Sequence, residues 1–314
     1  MSRRYNVLVT GCGGDIGQSV GKILKSSPMF QSVIGCDMNE DHAGKFIFDT
    51  CVQIARCSSD AYMPRLKSII DQFQIDIIVP VSEPELRFFA EKHISDELLG
   101  RPLICANLKS MQVGFDKYRT AVFLEENGLP FPETHLVSEM NAPEFPLIMK
   151  SRNGSGSKSL FKINDIEDFN FYKRKHPDFI IQEFLENDHE EYTCGVFRDE
   201  AKQTRMLIFR RKLMGGFSGF GTVVENSIIE KLLFEIARSL DLRGAINVQL
   251  RLINKVPLVF EINPRFSSTV MFRHMMGFED VIWSIQDRLG FPVSKYTPPP
   301  KNKNFYKGFH EYID

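Results

Sequence analysis

The stretch that decides the fold is GAINVQLRLINKVPLVFEINPR, residues 244–265. Two largely apolar runs flank residues 254–256, which predicts a β-hairpin with a three-residue loop. That loop pairs Gln249 with Glu261 and Asn247 with Asn263. One face of the hairpin is then wholly apolar, comprising Val248, Leu250, Leu252, Leu258, Phe260 and Ile262. A two-residue loop would instead mix apolar and charged residues on both faces and bury charge.

The polar face of this hairpin gathers oxygen donors at the end of a rigid sheet, with Arg265 directly after them. One carboxylate, from Glu261, beside the neutral amide oxygens of Gln249 and Asn263 suits Mg²⁺, which keeps part of its water shell when it bridges nucleotide phosphates. An ordinary solvent-facing hairpin would show the same pattern. The hairpin alone therefore leaves both interpretations open.

Two upstream segments favour the phosphate interpretation. FPLIMKSRNGSGSKSLFKI, residues 145–163, predicts a strand ending in Lys150, a glycine-rich loop at 153–158 and a return strand. A lysine beside free backbone amides suits phosphate oxygens, although an ordinary hairpin loop has a similar composition. DFIIQEFLEN, residues 178–187, predicts an apolar strand that suits an adenine slot, with the backbone at Glu183 and Leu185 reading the base edge; a plain edge strand would look alike.

The first 106 residues alternate strand and helix, which predicts a parallel, Rossmann-like sheet. After Asp116, a helix N-cap, the strands are long and mostly adjacent, so an α+β region with antiparallel pairing follows. The expected helices are 60–73, 83–99, 227–240, 268–276 and 279–289, and the expected later strands are 146–150, 159–163, 179–185, 192–198 and 204–213. The tail TPPPKNKNF, residues 297–305, is expected to be a wrapped or loose terminus.

The N-terminal stretch VLVTGCGGDIGQSVGKIL, residues 7–24, raises a competing function. Gly11, Gly14 and Gly17 with Asp37 resemble a dinucleotide-binding fingerprint of a nicotinamide-dependent oxidoreductase. A short-chain dehydrogenase also needs a catalytic Tyr-x-x-x-Lys, and no tyrosine in the chain has a lysine four positions on. The glycines are therefore expected to serve a tight turn or part of an acceptor site.

Composition narrows the classes of function. The 314 residues carry a formal net charge of −1, which excludes a sequence-wide attraction to nucleic acid or anionic membranes. No apolar run approaches the length of a membrane span, and the start of the chain lacks the pattern of a signal peptide. The six cysteines include no Cys-x-x-Cys pair, so we expect reduced thiols and a cytoplasmic protein.

The ordered segments resemble the ATP-grasp superfamily, in particular its carbamoyl-phosphate synthase and biotin carboxylase branch. The most specific match is the Asn-Val-Gln strand followed by Glu-x-Asn-Pro-Arg in the hairpin. The resemblance implies a Rossmann-like pre-ATP-grasp domain at 1–106, an ATP-grasp N-terminal lobe with a glycine-rich lid at 107–183, and a C-terminal lobe with the metal-binding hairpin and tail at 184–314. The expected fold class is therefore α/β and α+β, in which the Rossmann-like domain is followed by two lobes with antiparallel sheets.

The resemblance also implies roles for individual residues. It assigns Mg²⁺, with Mn²⁺ as an alternative, to Gln249, Glu261 and Asn263, and the acyl phosphate to Arg265. It assigns ATP to Lys117, Lys150, Gly154, Ser155, Gly156, Glu183, Phe184, Leu185 and Glu191. FRRKLMGGFSGFGT, residues 209–222, places Arg211 before a second glycine-rich loop, where it is expected to bind the carboxylate substrate; a charged, solvated strand edge is the alternative.

The implied activity is phosphorylation of a carboxylate by ATP, followed by attack of an amine or similar nucleophile on the acyl phosphate. Because the chain has one ATP-grasp half and no evident biotin or glutaminase segment, a stand-alone carboxylate–amine ligase is favoured over phosphorylation of bicarbonate or carbamate. An NAD(P)-dependent oxidoreductase and a non-catalytic ATP-binding regulator remain alternatives. The expected partners are small-molecule carboxylates and amines, with a homodimer possible and neither nucleic acid nor membrane involved.

Overall fold

The computed structural model describes residues 3–154, 159–186, 190–215, 217–308 and 310–313. Ser155 and Gly156, both predicted to bind ATP, lie outside these residues. Within the described ranges, one parallel and two antiparallel sheets of four or more strands make up the framework. The mixed α/β architecture expected from the sequence is confirmed.

The N-terminal sheet is parallel and has the strand order β3-β2-β1-β4. Its strands are β1 Tyr5–Thr10, β2 Phe30–Asp37, β3 Thr50–Gln53 and β4 Ile77–Pro80, and its helices are α1 Asp15–Ser26, α2 Tyr62–Phe73 and α3 Glu83–Glu91. Val7, Leu8 and Val9 in the central strand are fully buried, as expected of a strand covered on both faces. The predicted alternation of strand and helix is therefore confirmed.

Helix α3 ends earlier than the predicted range of 83–99. The Ile94 amide bonds back to the Phe89 carbonyl across His93, whose φ of +57° ends the helix in the left-handed conformation. A two-stranded hairpin of β5 Glu97–Leu98 and β6 Arg101–Pro102 replaces the rest of the predicted helix. Directly after this hairpin, Leu103 forms a single parallel bridge to Ile78 of β4.

Two short helices lead into the second sheet, which is antiparallel with the order β7-β10-β8-β9. The helices are α4 Leu108–Gly114 and α5 Lys117–Glu126; the sheet comprises β7 Thr134–Leu136, β8 Leu147–Lys150, β9 Leu160–Ile163 and β10 Ile180–Glu183, with α6 Ile166–Lys175 before the last strand. Asp116 caps α5 as predicted, accepting hydrogen bonds from the Tyr118 and Arg119 amides. The sheet has its own apolar cluster, around Leu147, Met149 and Phe169.

The third sheet is antiparallel with the order β15-β14-β11-β12-β13-β16. Its elements are β11 Glu191–Arg198, β12 Thr204–Met214, β13 Phe217–Val223, α7 Ser227–Ser239, β14 Gly244–Ile253, β15 Val256–Asn263, α8 Val270–Met275, α9 Asp280–Arg288 and β16 Asn304–Tyr306. Residues 217–223, expected to belong to a glycine-rich loop, form strand β13. The tail is wrapped, because β16 pairs with β13 and buries Phe305.

The hairpin of β14 and β15 keeps the predicted pairing of Gln249 with Glu261 and of Asn247 with Asn263. The predicted three-residue loop is wrong. The turn has only two residues, Asn254 and Lys255, both with positive φ, and a bulge after Gln249 restores the register.

The bulge also changes which side chains enter the core. Val259 is fully buried, whereas Phe260, predicted to lie on the apolar face, lines the cleft described below. The extra residue on β15 turns Phe260 outward because successive side chains of a strand alternate between its faces.

One hydrophobic core runs from the N-terminal sheet to the third sheet, joining Leu8 and Ile78 to Val248 and Ile262. These two sheets therefore form one support, on which the hairpin is held from behind. None of the described helices is both long enough and apolar enough to cross a membrane. The division of the chain at residues 106 and 183 stays a prediction.

Candidate active site

A cleft of about 620 Å³ opens where the second sheet faces the third. It brings together the described members of the predicted site: Lys117, Lys150, Gly154, Glu183, Phe184, Leu185, Glu191, Arg211, Gln249, Glu261, Asn263 and Arg265. These residues lie on β8, β10, β11, β12, β14 and β15, in the loops that follow β8, β10 and β15, and at the start of α5. The fold therefore collects side chains that lie up to 148 positions apart in the sequence, from Lys117 to Arg265.

Glu261 is the centre of charge in the cleft. Its carboxylate lies 3.4 Å from the Lys117 ammonium and faces Gln249 directly across the hairpin. Burial alone would raise the pKa of Glu261, but the charges of Lys117, Lys150 and Arg265 hold that pKa below its ordinary value. Glu261 is therefore an ionised acid among cations.

Lys150 points into the same cleft from the end of β8. Its side chain is only 7% exposed, and its ammonium donates to Gln182 Oε1 at 2.8 Å. Gln182 is held in turn by donating to the Thr134 hydroxyl at 2.9 Å. Burial lowers the pKa of Lys150 to about 8, despite the opposing attraction of Glu261. The sequence analysis did not identify Gln182. The sequence shows only that it lies on the strand predicted at 179–185, and not that this strand pairs with the one that carries Lys150.

Arg211 and Glu191 belong to a buried network rather than standing alone. Arg211 donates to Glu191 Oε1 at 2.8 Å, to Gln249 Oε1 at 2.8 Å and to the Ser218 hydroxyl at 3.2 Å. The other oxygen of Glu191 accepts from Arg251 at 2.9 Å. The network thus holds Arg211 against the predicted metal ligand Gln249. The carboxylate-binding role of Arg211 and the ribose-binding role of Glu191 stay predictions.

The segment entering the predicted lid is tied to its surroundings at several points. The Gly154 carbonyl accepts from Lys117 at 2.7 Å, and Arg152 pairs with the α5 cap Asp116 at 2.7 Å. Asn153 Oδ1 accepts from Arg87 of α3 at 3.2 Å. Residues 155–158, the remainder of the predicted lid, lie outside the described residues. The part that is described already connects α5, the cleft and the N-terminal domain.

The predicted adenine hinge lies at the end of β10, on one wall of the cleft. Leu185 is buried, and its carbonyl accepts from Arg251. The ring of Phe184 lies 4.0 Å from the Lys162 ammonium, so a cation covers one face of this ring. The hinge assignment for Glu183, Phe184 and Leu185 stays a prediction.

Two functional neighbours escaped sequence reasoning. Glu83 at the start of α3 accepts from Arg265 at 3.4 Å and from Arg87 at 2.9 Å. The i,i+4 spacing of Glu83 and Arg87 predicts their own ion pair, but nothing in the sequence indicates that Glu83 reaches Arg265, 182 residues away.

The second neighbour is Arg273, which has no exposed side-chain surface. It pairs with Asp280 at 2.8 Å and donates at 3.1 Å to Oδ1 of Asn247, the cross-strand partner of Asn263. A single arginine in a short helix that carries both apolar and basic residues gives no indication in the sequence that it is buried. Only the packed structure shows that Arg273 supports Asn247.

The N-terminal glycine motif forms a tight turn. A Cβ on Gly17 would lie 2.3 Å from the Gly11 carbonyl oxygen, which only glycine avoids. Asp37, the expected ribose acid, accepts from the Gly13 amide at 2.9 Å and the Asn39 amide at 3.0 Å, so it orders its own loops. A second cavity of about 860 Å³ lies against this turn, and Ile16 and Ser268 line both it and the cleft.

The comparisons with known proteins agree with this architecture. The ATP-grasp domain family matches residues 115–269. The chain is 18% identical over 275 residues to a carbamoyl-phosphate synthase of Methanobrevibacter smithii. The aligned region covers 76% of this chain and 75% of the relative.

Two solved structures have a similar fold. An L-amino acid ligase from Bacillus licheniformis superposes with a TM-score of 0.71 at 18% identity, covering 92% of this chain and 75% of that one. An N5-carboxyaminoimidazole synthetase from Staphylococcus aureus, complexed with ADP, superposes with a TM-score of 0.74 at 17% identity. The superposition covers 94% of this chain and 79% of that one. We therefore identify residues 115–269 of this chain as an ATP-grasp domain.

Proposed function

We propose that this protein is an ATP- and Mg²⁺-dependent carboxylate–amine ligase. One observation carries the proposal: the ionised Glu261 lies among Lys117, Lys150 and Arg265, directly across the hairpin from Gln249. Such a site combines metal ligands with cations that neutralise transferring phosphate. The similarity to a carbamoyl-phosphate synthase and to the fold of an L-amino acid ligase supports the same class of chemistry.

The residues of the hairpin fit a magnesium ion. Gln249 and Asn263 carry amide oxygens and line the cleft together with the Glu261 carboxylate, an all-oxygen donor set that suits Mg²⁺ and also Mn²⁺. Gln249 Oε1 accepts from Arg211 in this structure, so binding the ion would exchange that hydrogen bond for a bond to the metal. The register places Gln249 and Glu261 directly opposite one another, so their Cβ atoms are about 5 Å apart. Once bound, the ion would neutralise charge on the β- and γ-phosphates of ATP.

The lysines and Arg265 supply the remaining positive field. Lys150 is held by Gln182, so it binds phosphate oxygens from a fixed position rather than from a mobile side chain. Lys117 projects from the N-terminus of α5, where the helix dipole also favours an anion. Arg265 follows the metal ligands and would contact the acyl phosphate as it forms. Together these groups favour a transition state whose charge is spread over three oxygens.

In the proposed reaction, a carboxylate oxygen of the substrate attacks the γ-phosphorus of ATP. The bond between that phosphorus and ADP breaks, which gives an acyl phosphate and ADP. An amine then attacks the acyl carbon, releases inorganic phosphate and loses a proton, which completes the amide. Bicarbonate belongs among the candidate acids because a carbamoyl-phosphate synthase is a relative over most of the chain. The cytoplasmic location and the homodimer stay predictions.

The test replaces Glu261 with glutamine, which keeps the shape of the side chain and removes its charge. Purified protein is incubated with Mg·ATP, a panel of carboxylates including bicarbonate, and hydroxylamine, which traps acyl phosphates as hydroxamates. ADP and hydroxamate are both measured. Glu126→Gln, at an exposed position near the end of α5, is the matched control.

We expect at least one acid to give ADP and hydroxamate with the wild-type protein and with Glu126→Gln. Glu261→Gln should lower both rates by about a hundred- to a thousandfold, the usual cost of removing one electrostatic stabiliser of a transition state. Equal rates in the two variants would contradict the metal site. ATP binding without turnover for any acid would instead support a non-catalytic regulator.

A further inference from the structure

Three metal-ligating side chains meet in the N-terminal domain, away from the hairpin. Cys12 lies in the glycine turn after β1, His42 directly precedes a short 3₁₀ helix at Ala43–Phe46, and Cys51 lies on β3. Their candidate ligand atoms all lie within 4.8 Å of one another. The carboxylate–amine ligase proposed above assigns no role to any of them.

The spacing of these atoms is close to that of a metal-binding site. Cys12 Sγ lies 3.8 Å from His42 Nε2, well inside the 4.8 Å that bounds the whole cluster. Zinc bonds of about 2.3 Å to sulfur and 2.0–2.1 Å to nitrogen at a tetrahedral angle put sulfur and nitrogen about 3.6 Å apart. Only a small closure of the cluster is needed to reach that arrangement.

Apart from its contact with Cys12, the imidazole is held in place by packing against the backbone of two glycines. A Cβ added to Gly13 would lie 2.9 Å from His42 Cγ, and one added to Gly44 would lie 2.7 Å from Nδ1, so both glycines pack against the ring. His42 Nδ1 is buried with no hydrogen-bond partner among the described residues. A ring nitrogen left unpaired in this way is destabilising unless another interaction compensates. This histidine is therefore oriented towards the thiols at a cost in hydrogen bonding.

We propose that Cys12, His42 and Cys51 bind a thiophilic divalent cation, with Zn²⁺ as the best match. Two thiolates and one neutral imidazole form a Cys₂His set, and the two thiolates balance the charge of the ion. Cys12 is fully buried, whereas His42 and Cys51 are half-buried, so the open side of the cluster can supply water as a fourth ligand. Binding releases both thiol protons to solvent.

The position of the site indicates what the ion would do. Cys12 belongs to the turn that leads into α1, and Ile16 of that helix lines the active-site cleft. A bound ion would link this turn to β3 and to the segment before the 3₁₀ helix, three separate parts of the chain. It would therefore stabilise the N-terminal domain and fix the wall that the domain contributes to the cleft.

The test uses the full chain, kept reduced with a phosphine, and titrates it with Co²⁺ alone. Cobalt reports its ligands, because bound thiolates produce a sulfur-to-cobalt charge-transfer absorption in the near ultraviolet that oxygen ligands do not. We expect one Co²⁺ per chain with this absorption, and its loss when Zn²⁺ is added. The Glu261→Gln variant should show the same absorption, because the cleft offers no thiolate.

Cys51→Ser and His42→Ala change half-buried positions and remove one ligand each; Cys57→Ser, at another half-buried thiol of the same domain, is the control. Both ligand variants should bind Co²⁺ at least about tenfold more weakly, and the control should match the wild type. Zn²⁺ should also slow alkylation of Cys51 in the wild type, measured by mass spectrometry. The proposal is overturned by a wild type without the sulfur-to-cobalt absorption, or by undiminished binding in both ligand variants.

Discussion

At the scale of single residues, Lys150 shows how burial adjusts the pKa of the lysine that we propose binds phosphate. Its ammonium is surrounded by Gln182, the Phe260 carbonyl and ring, and the charge of Glu261. Loss of water outweighs the favourable attraction of Glu261, so the pKa falls from the ordinary 10.5 to about 8. The lysine is thus charged at neutral pH but within reach of deprotonation in mild alkali.

The catalytic efficiency for ATP should therefore depend on pH. Below pH 8 Lys150 is protonated and binds phosphate; above it the neutral amine loses that interaction, so kcat/KM for ATP should fall by up to about tenfold per pH unit. The measurement is a pH profile of ADP release from pH 6.5 to 10. Lys150→Arg keeps its charge throughout this range and should move the descending limb to higher pH. A wild-type profile that stays flat to pH 10 would show that Lys150 does not titrate in the free enzyme.

At the scale of elements, the β14–β15 hairpin depends on two local irregularities. The turn residues Asn254 and Lys255 have φ values of +49° and +68°, the pattern of a type I′ turn. The bulge between Gln249 and Leu250 then shifts the pairing by one residue, so that Glu261 still faces Gln249. Without the bulge, a two-residue turn would send Glu261 to the other face.

Replacing Lys255 with glycine should stabilise the protein by about 0.5–1 kcal/mol. Left-handed backbone costs a lysine about 1–2 kcal/mol, which glycine avoids, and the greater freedom of glycine in the unfolded chain offsets part of the gain. The shift is read from the midpoint of urea unfolding, with Lys255→Ala as the control that shortens the side chain but keeps the strained Cβ. Equal midpoints for the two variants would argue against strain at this turn.

At the scale of the whole molecule, the N-terminal domain takes part in the active site. Glu83 of α3 bonds Arg265, and Arg87 one turn later contacts Asn153, two residues before the part of the chain that the structure does not describe. The shared core behind the hairpin holds α3 at this distance, because Leu86 and Phe89 belong to the same cluster as Val248. We therefore expect the N-terminal region to influence catalysis through side chains that position Arg265 and Asn153.

Glu83→Gln should lower kcat by about tenfold and change KM for ATP much less. Arg265 loses its charged partner and adopts the productive position less often, and small errors of position slow a reaction strongly. Initial rates at varied ATP separate the two constants, and Glu83→Asp should restore part of kcat. Glu97→Gln, exposed on β5 of the same domain, should resemble the wild type. A change confined to unfolding stability would mean that Glu83 is structural only.

Much of the site was predictable because its chemistry is local in the sequence. The pairing of Gln249 with Glu261 follows from alternation along two strands, and Lys150 and Lys117 stand next to recognisable loop and helix signals. The two-residue turn was not predictable from alternation alone, since a bulge changes the register without changing composition. Strand β13 was not predicted because its glycines are typical of a loop. In the structure the same glycines leave room for Phe305 to pack against the strand.

The sequence by itself determined the class of fold, the resemblance to ATP-grasp domains and the pairing of Gln249 with Glu261, because strand periodicity and short-range motifs report on backbone and local chemistry. Only the tertiary structure decided that Glu83 meets Arg265, that Arg273 supports Asn247 and that Cys12, His42 and Cys51 converge. These contacts join residues brought together by packing of separate elements. Their energy depends on burial and distance, and neither can be read from spacing along the chain.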